Sequence, residues 1–388
     1  MKRVDIVCFD AASGHRTAAE ALRTALSQAQ PEWECRTIDV MDVLALDPTQ
    51  MGKVIALSEH YFNWCMRREK YYGLWTCVLS AIWYSKLSAR LFFPTCWGMS
   101  RFWKDAPPDG VISVTPLYNA MVYAAARRTN PQVECITIPV DYEEMTPGYW
   151  FEQSPHKRYI LSSDTLLPDA RRSHVPEDDI ERVRGMIISP HFYDPPSRTR
   201  ADLDAQFDLD PALPMGVVSF GCQGTVNVLR MAQTIADAKL PVNLICLCGH
   251  NKRLREMVNQ LETPYPCVGV GYQPEPPSDF LHAADFAIGK PATMTVVEAA
   301  ITQTPIIALK SDGLEAIHFS TESYIQATGT GVIADNFANV PALIEQVLTD
   351  KRFVEATQQE YHRGVFETAA VIERILGVPA AESHRKAA

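Results

Sequence analysis

The residues best suited to chemistry lie in a short turn near the start of the chain. Residues 10–16 read Asp-Ala-Ala-Ser-Gly-His-Arg and follow an apolar run, Val4–Phe9, that is typical of a strand. Small residues allow a tight turn into a helix N-terminus, which favours an anion or a polar ligand. Because a histidine can accept a proton near neutral pH, His15 suits a general base that deprotonates a hydroxyl group. A surface histidine at a helix start has the same sequence pattern, so spacing alone leaves both interpretations open.

A second loop has the composition of a phosphate-binding turn. Residues 219–225 read Ser-Phe-Gly-Cys-Gln-Gly-Thr and follow the apolar run Gly216–Phe220. The two glycines would let backbone amides approach a phosphate closely. The loop has neither the Gly-Lys-Ser/Thr ending of a P-loop nor the G-x-G-x-x-G pattern of dinucleotide sites, and an ordinary strand-to-helix turn remains the alternative.

A third loop combines hydroxyl groups with a positive charge. Residues 289–300 read Gly-Lys-Pro-Ala-Thr-Met-Thr-Val-Val-Glu-Ala-Ala. Thr293 and Thr295 are expected to cap a helix and to donate to a phosphate, and Lys290 adds charge. Glu298, one turn into that helix, would accept hydrogen bonds from ribose hydroxyls; otherwise it is a solvent-facing glutamate on a capped helix.

Two shorter loops also follow predicted strands. Residues 248–252 read Cys-Gly-His-Asn-Lys, and residues 269–273 read Gly-Val-Gly-Tyr-Gln. Exposed backbone at 270–272 would pair with the edge of a base. Glycine commonly ends a strand, so neither loop is specific by itself.

The elements that position these loops alternate between strands and helices. This alternation predicts βαβ units, a mostly parallel sheet in each half, and ligands beyond the carboxyl ends of the strands. Met186–Ile188 is the last strand candidate of the first half, and the proline-rich stretch 189–214 suits a linker. The expected organisation is an N-terminal domain (1–188), the linker (189–214), a C-terminal domain (215–352), a helix (353–376) that crosses back to the first domain, and a tail (377–388).

The composition limits the classes of protein. The chain has 388 residues with a net charge of −10, which argues against nucleic acid as a partner. Its ten cysteines include no C-x-x-C pair, and the start has the character of a strand rather than of a signal peptide. A reducing cytoplasm is therefore the expected compartment.

The charge and the aromatic residues are unevenly distributed. Residues 60–104, called the aromatic segment below, hold five of the seven tryptophans and have seven basic residues against one acidic residue, a net charge of +6. Tryptophan and tyrosine favour the bilayer interface, and basic side chains meet anionic head groups. The longest uncharged stretch, 71–85, is shorter than the roughly 20 residues needed to span a bilayer. A surface-lying segment is expected, with an aromatic-rich core subdomain or a homodimer interface as the alternatives.

Taken together, the motifs resemble a known family. The ordered set S-G-H-R-x-A-A-E-A-L, the glycine loop near 221, C-G-x-N-K, V-G-V-G-Y and K-P-x-x-x-T-V-x-E-A is similar to the GT-B glycosyltransferases of family 28. The most similar branch contains the monogalactosyldiacylglycerol synthases and the processive diacylglycerol glucosyltransferases. The resemblance covers most of residues 1–350 and implies an α/β fold of two Rossmann-like domains that face each other across a cleft.

The resemblance also implies roles for individual residues. His15 matches the histidine proposed as catalytic base or acceptor-binding residue, and Asp141 is the second choice of base. Val270–Tyr272 matches the uracil-binding segment, and Glu298 matches the ribose-binding glutamate. The donor-binding set implied by the family is Gly221, Cys222, Gln223, Gly224, Asn251, Lys252, Val270, Gly271, Tyr272, Lys290, Thr293, Met294, Thr295, Glu298, Glu315 and His318.

Several positions depart from the family pattern. The usual Gly-Gly-Gly-His turn is Ala-Ser-Gly-His here, and the loop at 290–295 lacks the glycines of K-A-G-P-G-T. The later loop that contacts the donor sugar in the family becomes residues 311–319, where Glu315 or His318 would take that role. The T-D-x-x-x-x-H-P-x-W stretch keeps Asp141 and a Pro/Trp frame but loses its histidine.

The resemblance implies inverting transfer from a UDP-sugar to a diacylglycerol-like lipid, with neither a metal ion nor a cofactor. The enzyme is expected to lie on the inner face of the cell membrane as a peripheral protein. A non-lipid hydrophobic acceptor is one alternative, and an inert nucleotide-sugar-binding or membrane-adaptor protein is another. The expected acceptor and membrane contacts are Trp64, Arg67, Arg68, Trp75, Trp83, Lys86, Arg90 and Trp97.

Overall fold

A computed structural model describes most of the chain, and its described part divides into two compact units. The first unit runs to Pro190 and resumes at Arg363, and the second unit is His191–His362. The structure describes residues 1–9, 14–48, 61, 64–65, 76, 79–83, 92–152, 157–273, 277–310 and 315–377, without the side chains of 92–94 and 315–319.

The described part of the first unit is built on a six-stranded parallel sheet in the order β2-β1-β3-β4-β5-β6. The central strands β1 and β3 are mostly apolar and buried, as expected for strands that are covered on both faces, whereas the edge strands β2 and β6 are more polar. The strands are β1 (Arg3–Cys8), β2 (Glu34–Asp39), β3 (Gly110–Ser113), β4 (Glu134–Thr137), β5 (Arg158–Leu161) and β6 (Ile180–Arg182).

Helices connect these strands and cover the sheet. The alanines and leucines of α1 form one buried face, and α4 packs its apolar side into a core that includes Trp103. The helices of this part of the chain are α1 (Gly14–Ala29), α2 (Val40–Leu44), α3 (Phe92–Met99), α4 (Asn119–Arg127) and α5 (Leu167–Arg172).

The described part of the second unit repeats the plan, with strand order β12-β11-β10-β7-β8-β9 and parallel neighbours throughout. The carboxyl ends of β10, β7, β8 and β9 therefore lie side by side. The strands are β7 (Met215–Ser219), β8 (Asn243–Leu247), β9 (Cys267–Val270), β10 (Phe286–Gly289), β11 (Ile306–Leu309) and β12 (Gly331–Ala334).

The helices of the rest of the chain follow the same alternation. The helices are α6 (Arg200–Phe207), α7 (Asn227–Asp237), α8 (Lys252–Asn259), α9 (Ser278–Ala283), α10 (Thr293–Ile301), α11 (Glu315–Thr328), α12 (Val340–Thr349), α13 (Arg352–Gln359) and α14 (Gly364–Gly377). Within the described residues, no helix has the length and apolar character that crossing a bilayer requires.

The structure corrects two sequence predictions. Met186–Ile188 is buried but forms no strand, and the edge strand is the polar Ile180–Arg182, which pairs with β5. The single helix expected over 353–376 is broken after Gln359 and restarts at Gly364. The restarted helix, α14, belongs to the first unit, where Arg374 forms an ion pair with Glu181 at 2.9 Å.

The stretch 189–214, expected as a linker, contains helix α6 and belongs to the second unit from His191 onward. A capping box in which Thr199 and Asp202 exchange hydrogen bonds starts α6. The Asp279 carboxylate accepts hydrogen bonds from the amide and hydroxyl of Ser197 and from Arg198, which fixes the segment against α9.

Candidate functional site

The first-unit site begins at His15, in the first turn of α1. Its Nδ1 atom lies 2.8 Å from the carbonyl oxygen of Val114, the residue after β3. A carbonyl oxygen only accepts, so Nδ1 carries the proton and donates it. In the neutral imidazole, Nε2 then has the free lone pair and is the atom able to take a proton.

Asp141 lies next to this histidine in the loop after β4. Its Oδ2 atom accepts a hydrogen bond from the indole Nε1 of Trp150 at 3.1 Å, and the Trp150 ring lies 6.1 Å from the His15 ring, centre to centre. Burial raises the pKa of the Asp141 carboxyl, while the charge of His15 and the indole N–H oppose that rise. The structure therefore brings together the two residues predicted as candidate bases.

A second carboxylate, that of Glu144, organises the loop that carries Asp141 and Trp150. One oxygen of Glu144 accepts hydrogen bonds from the amides of Trp150 at 2.8 Å and Phe151 at 2.9 Å, and the other from Gly148 at 3.4 Å. Sequence reasoning missed Glu144. The available signal was a glutamate a few residues before a Pro-Gly turn, where a carboxylate commonly satisfies loop amides.

Backbone strain marks the neighbouring loop between β3 and α4. Leu117 is a non-glycine residue with φ +74°, and its amide donates to the carbonyl of Tyr149 at 3.1 Å. The Glu152 carboxylate accepts from the amides of Asn119 at 2.9 Å and Ala120 at 3.2 Å, at the start of α4. These bonds hold the loops after β3 and β4 together, and such strain is common at functional sites.

In the second unit, two glycines fit the loops after β7 and β8 against each other. Gly224 has φ +69°, and a Cβ placed there would lie 2.0 Å from the carbonyl oxygen of Cys248. Gly249 has φ +53°, and a Cβ there would lie 2.0 Å from the carbonyl oxygen of Cys222. Only glycine fits such approaches, so both loops have one defined conformation.

Asn251 completes this pair of loops. Its Oδ1 accepts from the amide of Leu254 at 3.0 Å, which caps α8, and its Nδ2 donates to the carbonyl of Gly224 at 2.9 Å. These two bonds shape the loop, but the amide oxygen can accept a second bond and the amide nitrogen can donate a second one, so the donor-binding role of Asn251 stays a prediction. Lys252 follows as an exposed first residue of α8, and Gln223 is half-buried in the β7 loop.

Lys290, directly after β10, points at the β7 loop. A Cβ on Gly221 would lie 3.8 Å from its Nζ, and Gly221 has φ +98°. Burial lowers the pKa of the Lys290 ammonium, and Cys222 partly opposes this shift. Among the described residues no carboxylate forms an ion pair with Lys290, so a partly buried cation faces the glycine loop.

The predicted threonine cap of α10 is wrong. The helix begins at Thr293 with Ala292 as N-cap, and no side chain caps it. The Thr293 hydroxyl instead lies 3.3 Å from the hydroxyl of Thr321, and Thr295 and Met294 are half-buried in the first turn. The first amides of α10 are therefore left without a side-chain acceptor, beside Lys290, and such amides bind anions well.

Glu298 is a partly buried acid one turn into α10. Desolvation raises its pKa to about 8 from an ordinary value of 4.5. No described residue forms a hydrogen bond with its carboxyl group. A carboxyl in this state suits a ligand that brings hydroxyl donors.

The segment 270–272 offers less free backbone than predicted. The Val270 carbonyl accepts from the amide of Cys248 at 2.7 Å, and the Tyr272 amide donates to the carbonyl of Gly249 at 2.8 Å. Among the described residues, the amide and carbonyl of Gly271 and the carbonyl of Tyr272 then have no backbone partner. The prediction that all three residues expose their backbone is therefore wrong.

An aromatic pair at this end of the sheet was not predicted. The His250 ring stacks on the half-exposed Tyr272 ring, with centres 3.9 Å apart and planes 20° apart. In the same region the hydroxyl of Thr225 is buried without a hydrogen-bond partner among the described residues. Neither feature has a spacing signal in the sequence, because each depends on how the loops fold over one another.

Several predicted site residues lie outside what the structure describes. Nothing is described of Arg67, Arg68, Trp75, Lys86 and Arg90, or of the side chains of Glu315 and His318. Within the described part of the aromatic segment, Trp64, Trp83 and Trp97 are exposed by 39%, 74% and 48%. Trp103 is fully buried and donates to Asp5 at 2.7 Å, so this tryptophan belongs to the core.

Comparisons of sequence place the chain near glycolipid-forming enzymes. Monogalactosyldiacylglycerol synthase 1 of Arabidopsis thaliana is 24% identical over 361 residues, covering 90% of this chain and 64% of the relative. The processive diacylglycerol beta-glucosyltransferase of Staphylococcus saprophyticus is 29% identical over 199 residues, covering 49% and 47%. The chain thus spans less than two thirds of the length of these relatives. No protein-family model matches it.

Comparisons of structure give the fold. MurG of Acinetobacter baumannii superposes with a TM-score of 0.59 at 12% identity, covering 96% of this chain and all of that one. The glycosyltransferase SnogD of Streptomyces nogalater gives 0.58 at 14% identity, covering 97% and all of that chain. The predicted α/β fold of GT-B type and the predicted resemblance to the diacylglycerol glycosyltransferases are both confirmed.

Proposed function

We propose that this chain is a GT-B glycosyltransferase that moves a hexose from a UDP-sugar to a diacylglycerol-like lipid. The donor half of the proposal rests mainly on the partly buried ammonium of Lys290. It faces the Gly221 loop, beside the uncapped start of α10. A diphosphate can be bound by such a combination of a cation, a glycine turn and free helix amides at one edge of a sheet.

The nucleoside would lie along the neighbouring loops of the same edge. Glu298, partly buried and without a partner among the described residues, suits the ribose hydroxyls. The backbone of Gly271 is left to meet the base, next to the stacked rings of His250 and Tyr272. The uracil preference itself rests on the resemblance to the family.

The reaction would be a single displacement. The acceptor hydroxyl attacks the anomeric carbon, a carbon–oxygen bond to the acceptor forms, and the bond to the diphosphate breaks on the opposite face. The hydroxyl proton passes to Nε2 of His15, whose lone pair the Val114 carbonyl leaves free. The leaving UDP carries the charge that Lys290 and the α10 amides stabilise.

The acceptor is proposed to be a lipid at a membrane surface. The support is the names of relatives such as the monogalactosyldiacylglycerol synthase and the diacylglycerol glucosyltransferase reported above, together with the exposed tryptophans of the aromatic segment. Tryptophan at this exposure is stable at the level of the lipid head groups.

Nucleotide binding followed by turnover tests the proposal. UDP should raise the unfolding temperature in proportion to the logarithm of its concentration above Kd, whereas ADP and GDP at equal concentrations should not. UDP-glucose, UDP-galactose, UDP-N-acetylglucosamine and UDP-glucuronate are then incubated with diacylglycerol in anionic vesicles. Release of UDP that requires the vesicles supports a lipid acceptor. Equal stabilisation by all three nucleotides contradicts the uracil assignment, and UDP binding without turnover favours the inert binding protein.

A further inference from the structure

The loop after β4 contains a carboxylate that no step of the proposed reaction uses. Glu144 is partly buried, and burial raises the pKa of its carboxyl group. Keeping such a group inside a protein is unfavourable unless it satisfies other groups. Its carboxylate accepts hydrogen bonds from the amides of Gly148, Trp150 and Phe151. These three amides belong to the turn that positions the Trp150 indole.

We propose that Glu144 is a positioning residue: its carboxylate fixes the Trp150 backbone, and the Trp150 indole N–H then holds the Asp141 carboxylate beside the imidazole of His15. The proposal deepens the proposed function, on which it rests for its catalytic meaning. The physical chain itself, from Glu144 to Trp150 to Asp141, exists whether or not a sugar is transferred.

Each link in this chain is short and directional. The Glu144 Oε1 to Trp150 N distance is 2.8 Å, and the Trp150 Nε1 to Asp141 Oδ2 distance is 3.1 Å. The Trp150 side chain is fully buried, so it has little freedom to realign once its backbone moves. Glu144 is itself fixed, because its amide donates to the carboxylate of Asp169 at 3.0 Å.

The pKa of Asp141 depends on the groups around it, so this pKa should change when the Trp150 indole N–H no longer points at the carboxylate. His15 faces it from α1, and Tyr149 faces it from its own loop, where Asp141 contributes to a raised Tyr149 pKa. Glu144 faces Asp169 and, more weakly, Lys157. The indole N–H is the hydrogen-bond donor that opposes the effect of burial on the Asp141 pKa. Losing it should raise that pKa further.

The test follows the Asp141 carboxyl by carbon NMR during a pH titration of the full chain without substrate. Trp150→Phe keeps an aromatic ring but removes the donor, and we expect the Asp141 titration midpoint to rise by about one pH unit. Glu144→Gln replaces the charged acceptor of Trp150 and Phe151 by a weaker neutral one and sets an NH2 group against the Gly148 amide, and we expect a rise in the same direction. In the double variant the Asp141 midpoint should be no higher than in Trp150→Phe alone, because both substitutions act by removing the same indole hydrogen bond.

Glu152→Gln is the matched control. Glu152 also accepts two backbone amides and is also withdrawn from solvent, but its bonds go to Asn119 and Ala120 rather than to the Trp150 turn. It should lower the unfolding temperature and leave the Asp141 midpoint unchanged. The Trp150 indole N–H resonance should likewise move in Glu144→Gln and stay in place in Glu152→Gln.

An unchanged Asp141 midpoint in folded Glu144→Gln overturns the proposal, even if Trp150→Phe shifts it. If Glu144→Gln does not fold, Glu144→Asp, which keeps the charge and shortens the side chain, takes its place with the same expected rise. Once a turnover assay exists, Glu144→Gln should lower kcat and leave KM for the donor nearly unchanged. Because the titration needs no substrate, failure of the proposed reaction and failure of this inference give different results.

Discussion

The Nδ1 atom of His15 donates to the carbonyl oxygen of Val114 across 2.8 Å, which fixes one tautomer of the imidazole. Nε2 is then the basic nitrogen, and His15 lies in the first turn of α1. The same contact sets the orientation of the ring, because the carbonyl belongs to the backbone after β3 and cannot rotate to follow it. A base in a single orientation can take a proton from one direction only.

Replacing His15 should therefore affect the rate more than donor binding. We expect His15→Ala to lower kcat about 10²- to 10⁴-fold, the usual contribution of a general base, and to leave KM for the UDP-sugar within about threefold. His15→Asn keeps a side-chain donor for Val114 but cannot accept the proton, and should lose as much activity. Initial rates against donor concentration give both parameters. Activity in His15→Asn near that of the unmodified chain would assign the base elsewhere, first to Asp141.

Lys290 should contribute to affinity through the diphosphate alone. Lys290→Met keeps much of the apolar stem, and we expect it to weaken UDP binding about 10- to 100-fold, as for loss of a charge-assisted hydrogen bond. Binding of uridine, which has no phosphate, should be unchanged. Calorimetry with UDP and uridine measures both affinities, and Lys351→Met, which removes an exposed cation of the same unit, is the control. An equal loss for uridine and UDP would show that Lys290 supports the fold rather than the phosphates.

Glu298 should make donor binding depend on pH. Its pKa is raised to about 8 by burial, so the carboxyl is mostly protonated near pH 7. Hydroxyl donors from a ribose favour the ionised form, so binding should release protons and affinity should rise between pH 7 and 9. Calorimetry of UDP in two buffers of different ionisation enthalpy measures the protons released. In Glu298→Gln that release should vanish.

The same shift predicts how stability changes with pH. In the unfolded chain Glu298 titrates near 4.5, and in the folded chain near 8, so the folded state holds more protons between these values. The free energy of unfolding should fall as pH rises through that window. Glu298→Gln should be as stable as the unmodified chain near pH 4.5 and more stable near pH 8.5. Urea unfolding at both pH values checks this, and an equal difference at the two would contradict it.

Much of the fold follows from sequence pattern because its causes are local. The apolar runs and the loops after them predict most strands, and the carboxyl ends of parallel strands bring His15, Val114 and Asp141 to one edge. The edge strand Ile180–Arg182 escapes such reasoning because it is polar and exists by pairing with β5. Helix α6 has a signal that was overlooked, the Thr199 and Asp202 capping box inside a proline-rich stretch.

The site was less predictable, because its bonds join distant residues. The Thr293 hydroxyl finds Thr321 instead of capping α10, and the Tyr272 amide finds Gly249 instead of remaining free. Both outcomes depend on which loops meet, and a pattern of residue types carries no such information. Glu144 has backbone amides as partners, so its position before a Pro-Gly turn is the one signal that the sequence offers for it.

The fit of the β7 and β8 loops predicts unequal effects of two similar substitutions. Gly224 and Gly329 have almost the same φ, +69° and +70°. A Cβ at Gly224 would lie 2.0 Å from the Cys248 carbonyl oxygen, whereas at Gly329 its nearest neighbour is 3.8 Å away. Gly329→Ala should cost about 1–2 kcal/mol of unfolding free energy from backbone strain. Gly224→Ala should cost about 3 kcal/mol or more and weaken UDP binding. If urea unfolding gives similar losses of unfolding free energy for the two variants, the Cys248 loop moves to accommodate the added Cβ.

The exposed tryptophans predict where the protein meets a membrane. Trp97 is about half exposed, and the Arg101 guanidinium lies 4.7 Å from its ring centre, so a basic and an aromatic group share one surface. Arg101→Glu changes two charges. If this surface binds anionic lipid, it should cost about 2 kcal/mol, or roughly 30-fold in partition.

Flotation with phosphatidylglycerol vesicles measures this partition. Trp83→Ala and Trp97→Ala should each reduce the bound fraction, and vesicles of phosphatidylcholine alone should bind much less of the unmodified chain. Tyr361→Ala is the control, because Tyr361 is also about 40% exposed but lies in the second unit. If the vesicle-bound fractions of the two tryptophan variants and of Arg101→Glu equal that of the Tyr361 variant, the described face of the aromatic segment is not the membrane surface. Undiminished activity on a detergent-dispersed acceptor would then point to a soluble hydrophobic substrate.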